Sequence, residues 1–202
     1  MQPGCFGISI FNRLLLPVYT DFHVAVSSYL PSCVFLGFLA LVTFDVAYLI
    51  LYRERKKDYG IFLAKNQFIL YTSFLYIAFV IYLTILSRPP GSRTGVDLMP
   101  LATISPKLTG NIYAAENILL FLPFGILYCL LPFPFKRPQG CMAGAFTASI
   151  LIELVQYITQ RGYLQTDDVI LNVLGCYLGY VTGRYLVKII RHKHKPLRDK
   201  EQ

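Results

Sequence analysis

Apolar residues gather into five long runs, near residues 29–52, 67–87, 114–132, 141–160 and 168–190, with polar or basic segments between them. Each run is long enough for an α-helix to cross a hydrocarbon core, which takes about 20 mostly apolar residues. The pattern predicts an all-α fold, a polytopic transmembrane bundle of about five spans.

Within the later runs the polar exceptions are ordered. In the fourth, Ser149, Glu153, Gln156 and Gln160 recur at i, i+4, i+7 and i+11, which is one helix face. The fifth begins with Asp168 and Asn172 at the same spacing and continues as Gly175, Gly179 and Gly183. The third has Glu116 and Asn117 in its first turn, then Pro123 and Gly125 midway. The proline leaves the carbonyl of Leu119 in need of another partner. Arg88 closes the second run and Arg161 the fourth.

A charge at the centre of a span costs about 2.5 to 3.5 kcal/mol on insertion scales, so such groups turn toward protein or a wet cavity. At 1.5 Å per residue, Glu153 lies about 10 Å inward from Gln160, and Asn172 about 6 Å inward from Asp168. All of these groups fall toward one end of three helices. They predict the walls of a polar pocket opening at that end. Glycines four apart let helices approach closely. With Gly140, Gly144 and Ala148 on the fourth run, they predict that the fourth and fifth helices press together at the other end and splay around the polar groups.

Composition agrees with the periodicity. Hydrophobic residues make up 55% of the chain and the mean hydropathy is +0.51, above the level of an ordinary globular domain. The net charge of +8 does not point to nucleic acid, because the basic residues are concentrated in loops and a tail. They are "RERKK" at 53–57 with Lys65, then Lys136 and Arg137, then "KIIRHKHKPLRDK" at 188–200. With five crossings these segments share one face, and the positive-inside rule puts that face in the cytoplasm. The N-terminus, the loop 88–113 and the loop 161–167 are then outside, and the C-terminus is cytoplasmic.

The N-terminal stretch "CFGISIFNRLLLPVY" is interrupted by Asn12 and Arg13 and lacks a cleavage site, so it reads as a retained segment lying along the interface. Five cysteines without a C-x-x-C pair suggest neither a zinc site nor a disulfide framework. His192 and His194 read as part of a basic tail facing lipid headgroups. The sequence calls for no metal and no cofactor.

The polar residues allow a bland reading beside the functional one. Glu153 could pair with Arg161 or Arg88, Asn172 could cross-link helices, and the glycines could serve packing alone. The functional reading rests on three helices placing polarity at one depth.

"ENILLFLPFGIL" followed by "ASILIELVQYITQRGYLQTDDVILNVLGCYLG" resembles the VanZ-like family of membrane proteins, named after an accessory teicoplanin-resistance protein. The resemblance covers roughly residues 80 to 190 and falls on Arg88, Asn117, Phe121, Pro123, Gly125, Ser149, Glu153, Gln156, Arg161, Asp168, Asn172, Gly175 and Gly179. The family's N-L-x-P-F segment stands here as Asp97-Leu98-Met99-Pro100-Leu101, with Asp for Asn and Leu for Phe. The chain then divides into an N-terminal segment with the first span and a basic loop (1–65), a four-helix family core (66–190) and a basic tail (191–202).

The resemblance implies a bacterial cytoplasmic-membrane protein that lowers sensitivity to glycopeptides, especially lipidated ones. Two functions fit the residues. In the first, an outward pocket binds or shields a lipid-linked cell-wall precursor or the lipid anchor of the antibiotic. Arg88 and Arg161 meet a phosphate or carboxylate, and Asn117, Gln156 and Asn172 bond amide or sugar groups. In the second, Glu153 and Asp168 work as acid and base on an envelope lipid. No Ser-His-Asp, Cys-His or H-E-x-x-H arrangement is present to supply other chemistry. A transporter lacks a visible polar path to the cytoplasmic face.

Overall fold

The computed structural model describes residues 16–51, 56–100, 108–132 and 136–193. Most of the interfacial N-terminal stretch, most of the first basic loop and the tail from residue 194 lie outside them. Five α-helices account for most of the described chain: α1 (Leu16–Leu51), α2 (Lys56–Ile81), α3 (Leu108–Leu130), α4 (Pro138–Ile158) and α5 (Thr166–Lys193). Four contain stretches long and apolar enough to cross a membrane: Val26–Leu51, Asn66–Leu86, Asn111–Leu130 and Pro138–Ile158. These match the first four expected spans to within about three residues. The protein is a multi-pass membrane protein. The fifth expected span forms a helix of 28 residues. Asp167, Asp168, Asn172 and four basic residues near its end make it less apolar than the others. α1 starts earlier than its apolar core, at Leu16, and continues through Pro31.

The core sits between α3, α4 and α5. Phe121, Cys129, Cys141, Ala145, Cys176 and Tyr180 are buried together, with Phe124, Tyr128 and Ile152 packed around them. α3 and α5 form the most extensive helix pair, and glycine makes it possible. A methyl group at Gly175 would overlap the carbonyl oxygen of Ile118, one at Gly179 that of Leu122, and one at Gly125 that of Cys176. Backbone touches backbone across this interface, as small residues permit in a membrane.

The expected pairing of ridges is therefore corrected. The glycines of α5 face α3, not α4, and Gly140 and Gly144 of α4 meet the rings of Tyr128 and Phe124, also on α3. α4 and α5 do not splay around the polar groups either. The amide of Asn172 donates to Ser149 Oγ at 2.8 Å, joining the two helices through the buried polar stripe. Further along the same interface the Cys141 and Cys176 Sγ atoms lie 3.3 Å apart. In an apolar surround the stripe gains more by pairing with itself than by lining an open cleft.

α1 packs mainly on α2. Gln67 Nε2 donates to Asp45 Oδ2 at 3.0 Å, a polar clasp inside two apolar runs. Tyr29 meets Tyr82, and Phe44 meets Phe74. Tyr76 OH donates to the carbonyl of Leu120 at 2.9 Å, one residue beyond the carbonyl that Pro123 leaves open, so α2 supplies the hydroxyl that α3 accommodates near its proline.

The ends of these helices are joined by short, specific connections. α2 closes in a π-helical turn, Tyr82–Leu86, with Ser87 N donating to Tyr82 O at 2.8 Å. Two short strands, β1 (Val96–Asp97) and β2 (Leu164–Gln165), pair in parallel, with Val96 opposite Leu164 and Asp97 opposite Gln165. They tie the loop after α2 to the loop between α4 and α5.

Gly179→Val is expected to abolish most folded protein, because the added carbons have only the Leu122 backbone to displace, and overpacking costs about 1–3 kcal/mol or more. Gly144→Ala, whose nearest neighbour is the Phe124 ring at 3.5 Å, is expected to fold normally. The yield of monodisperse protein in detergent and its thermal midpoint compare the two.

Candidate functional site

α4 ends in a turn that sequence periodicity does not foresee. Gln160 N donates to Tyr157 O at 3.1 Å and Arg161 N to Gln156 O at 2.8 Å. Gln160 sits at φ 55°, in the left-handed region. This is the Schellman closure of a helix, with the left-handed residue just past the cap. It takes Gln160 out of the polar stripe and leaves it exposed, and it turns Arg161 back toward α2.

Two of the expected ligand-binding side chains then close the end of α2. The amide of Gln156 donates to Thr84 O at 2.8 Å, and Arg161 Nη1 donates to Ile85 O at 2.7 Å. The last carbonyls of a helix have no partner within it, and in the π-helical turn these two find theirs on α4 and just beyond it. Gln156 is buried, as is Glu153, only 3% exposed, whose Oε2 accepts from the backbone N–H of Gln165 at 2.9 Å. Glu153 thus anchors the start of the α5 loop. Asn172 lies deeper, against Ser149, and its Oδ1 has no hydrogen-bond partner among the described residues.

The remaining three expected ligand-binding residues share a cavity. Arg88, Asn117 and Asp168 line a space of about 490 Å³ at the end of the bundle where α2 closes and α5 opens. Asn117 Nδ2 donates to Asp168 Oδ1 at 2.7 Å, fixing one wall between α3 and α5. Arg93, Tyr113, Glu116, Tyr163 and Gln165 complete the lining. Arg93 and Gln165 come there through strand pairing: Arg93 N donates to Gln160 O at 3.1 Å, and Leu164 N to Gly95 O at 3.0 Å. Sequence reasoning missed both because loop-to-loop pairing carries no periodic signal. The one cue for Arg93 was a basic residue on the face where basic residues are scarce.

Burial, and after it the Arg93 charge, push the Arg88 guanidinium below its ordinary value, while Asp168, Glu153 and then Tyr113 oppose the shift. Two guanidinium groups that repel each other in a partly desolvated space favour an anion between them. Glu153 acts on Arg88 from behind the Gln165 backbone and does not line the cavity. The cavity sets two guanidinium groups beside the Glu116 and Asp168 carboxylates, with Asn117, Gln165 and two tyrosines offering neutral contacts, a lining suited to a polar, hydrogen-bonding group.

A family model described as VanZ/LLP1 matches residues 73–189. The chain belongs to the VanZ/LLP1 family. No curated protein and no solved structure matches it. The family region includes every lining residue of the cavity and leaves α1 outside it. Asp97 closes a turn in the loop after α2. Its Oδ1 accepts from Met99 N at 3.1 Å, a turn that Asn and Asp side chains form equally well.

Removing the caps tests this division of labour. Gln156→Ala and Arg161→Ala are each expected to lower stability by about 1–3 kcal/mol, the cost of leaving a buried carbonyl unsatisfied. Gln160→Gly is expected to raise it by about 1 kcal/mol by relieving the left-handed backbone. Denaturant titration of the purified protein in detergent reads all three.

Proposed function

We propose that the cavity holds the anionic head of a lipid-linked cell-wall precursor, or of a lipoglycopeptide at its lipid anchor, on the outer face of the bacterial cytoplasmic membrane. By binding or shielding it, the protein lowers sensitivity to glycopeptides such as teicoplanin. The observation that carries this reading is the convergence of Arg88 and Arg93 on one cavity with Asn117, Gln165 and Asp168 at the end of the bundle where α2 closes and α5 opens.

The positions of the other basic residues support this orientation. Lys56, Lys57, Lys136, Arg137, Arg184 and Lys188 belong to the opposite end of the helices, and the positive-inside rule assigns that end to the cytoplasm. Of the three arginines at the cavity end, Arg161 caps Ile85, and Arg88 and Arg93 line the cavity.

In a strain lacking the native copy, Arg88→Ala combined with Arg93→Ala is expected to remove most of the protection against lipidated glycopeptides at unchanged membrane protein levels. Full protection by that double variant would sink the reading. For the orientation, single cysteines introduced at 90–100 or 162–166 are expected to react with an impermeant thiol reagent in intact cells, whereas those at 53–58 or 195–200 do not. The reverse pattern would place the cavity in the cytoplasm.

A further inference from the structure

The polar cavity has an apolar neighbour. Between α1 and α2 runs a groove of about 610 Å³, lined on α1 by residues from Leu36 to Ala47 and on α2 by residues from Phe74 to Leu86. Its surface is almost wholly hydrocarbon: Ala40, Phe44 and Ala47 face Phe74, Ile77 and Ala78. The small side chains Ala40, Ala47 and Ala78 create the hollow. Flanking contacts hold the two helices together at its ends, with the Gln67–Asp45 bond on one side and the Tyr29–Tyr82 ring contact on the other.

The groove and the cavity meet at one point of the chain. Leu86 lines the groove and Arg88 lines the cavity, and two residues place their Cα atoms no more than about 7.6 Å apart. The α2 wall of the groove, from Phe74 to Leu86, rises about 18 Å toward that point at the helical rise per residue. One amphiphile can therefore set a charged head against Arg88 and Arg93 and lay an apolar chain down the groove. α1 supplies half of the groove and lies outside the family region of residues 73–189.

We infer that α1 adds a chain-binding groove to the family core, so that the ligand of this protein is an anionic lipid whose long single chain lies between α1 and α2 while its phosphate-like head occupies the cavity. This deepens the proposed function and rests on it: the cavity selects charge, and the groove selects chain length. Charge complementarity at Arg88 distinguishes this occupant from a zwitterionic bulk lipid, which the groove alone would accept equally well. The groove also gives the extra N-terminal helix a task that the polar cavity does not require.

Alkyl phosphates of two lengths test it on the full chain in phosphatidylcholine nanodiscs, with thermal stabilisation as the measure of binding. Hexadecyl phosphate is expected to bind about tenfold or more tightly than ethyl phosphate, a difference of about 1.4 kcal/mol. Ala40→Leu combined with Ala78→Leu is expected to erase that advantage and leave ethyl phosphate binding unchanged. A hexadecyl phosphate carrying a mid-chain photoreactive diazirine is expected to label α1 and α2 in the groove more than a phosphatidylcholine carrying the same group. This labelling also reads out the wild-type groove should the double leucine variant fold poorly. If Arg88→Ala with Arg93→Ala leaves both phosphates bound as before, the cavity reading fails and the inference with it. If the arginine variants weaken both ligands but groove filling changes neither, or if the two photoprobes label alike, the groove assignment alone is overturned.

Discussion

Hydrocarbon offers no water to a polar group, and the arrangement of this bundle follows from that constraint. A polar side chain in a span must find a protein partner or a wet space. Asn172 finds Ser149, Gln67 finds Asp45, Tyr76 finds the Leu120 carbonyl, and Glu153 finds the Gln165 N–H. Each bond joins two elements that the chain otherwise leaves separate. The polar residues are thus the fasteners of the fold as well as the walls of its site, and only those at the rim remain available to a ligand.

The same logic explains why the closing turn of α2 is so closely held. A π-helical turn changes the set of carbonyls left without partners, and Gln156 and Arg161 supply donors to two of them. Because Arg161 reaches Ile85 only after the left-handed step at Gln160, the end of α4 and the end of α2 are positioned together. Arg88 then stands two residues beyond the turn, and its place in the cavity depends on this mutual capping.

Backbone contact through glycine sets the other half of the frame. α5 lies against α3 so closely that the α3 carbonyls occupy the space where side chains would stand at Gly175 and Gly179. This contact brings Asp168 within hydrogen-bond reach of Asn117 across the α3–α5 interface. Packing by dispersion in one part of the interface and a charged wall in another are two consequences of one helix register. α1, which takes no part in that register, is free to contribute an apolar groove.

Much of this was legible in the sequence. The four apolar spans, a fifth helix where a further apolar span was expected, the one-sided polar stripes and the close-packing glycines all follow from the period of a helix and the cost of polarity in hydrocarbon. What periodicity cannot say is which helix a given face will meet. Spacing put Gly175 and Gly179 on one face, but the partner was α3 because its carbonyls could enter the gap, whereas α4 presented side chains. Spacing likewise grouped Glu153, Gln156 and Arg161 with Arg88, Asn117 and Asp168 as one set of ligands. Tertiary structure divided them, since unpaired carbonyls and N–H groups at helix ends and loops took up the first three. Arg93 and Gln165 entered the cavity through a parallel pairing of two loops, a contact that depends on the placement of distant helices and leaves no pattern in the chain itself.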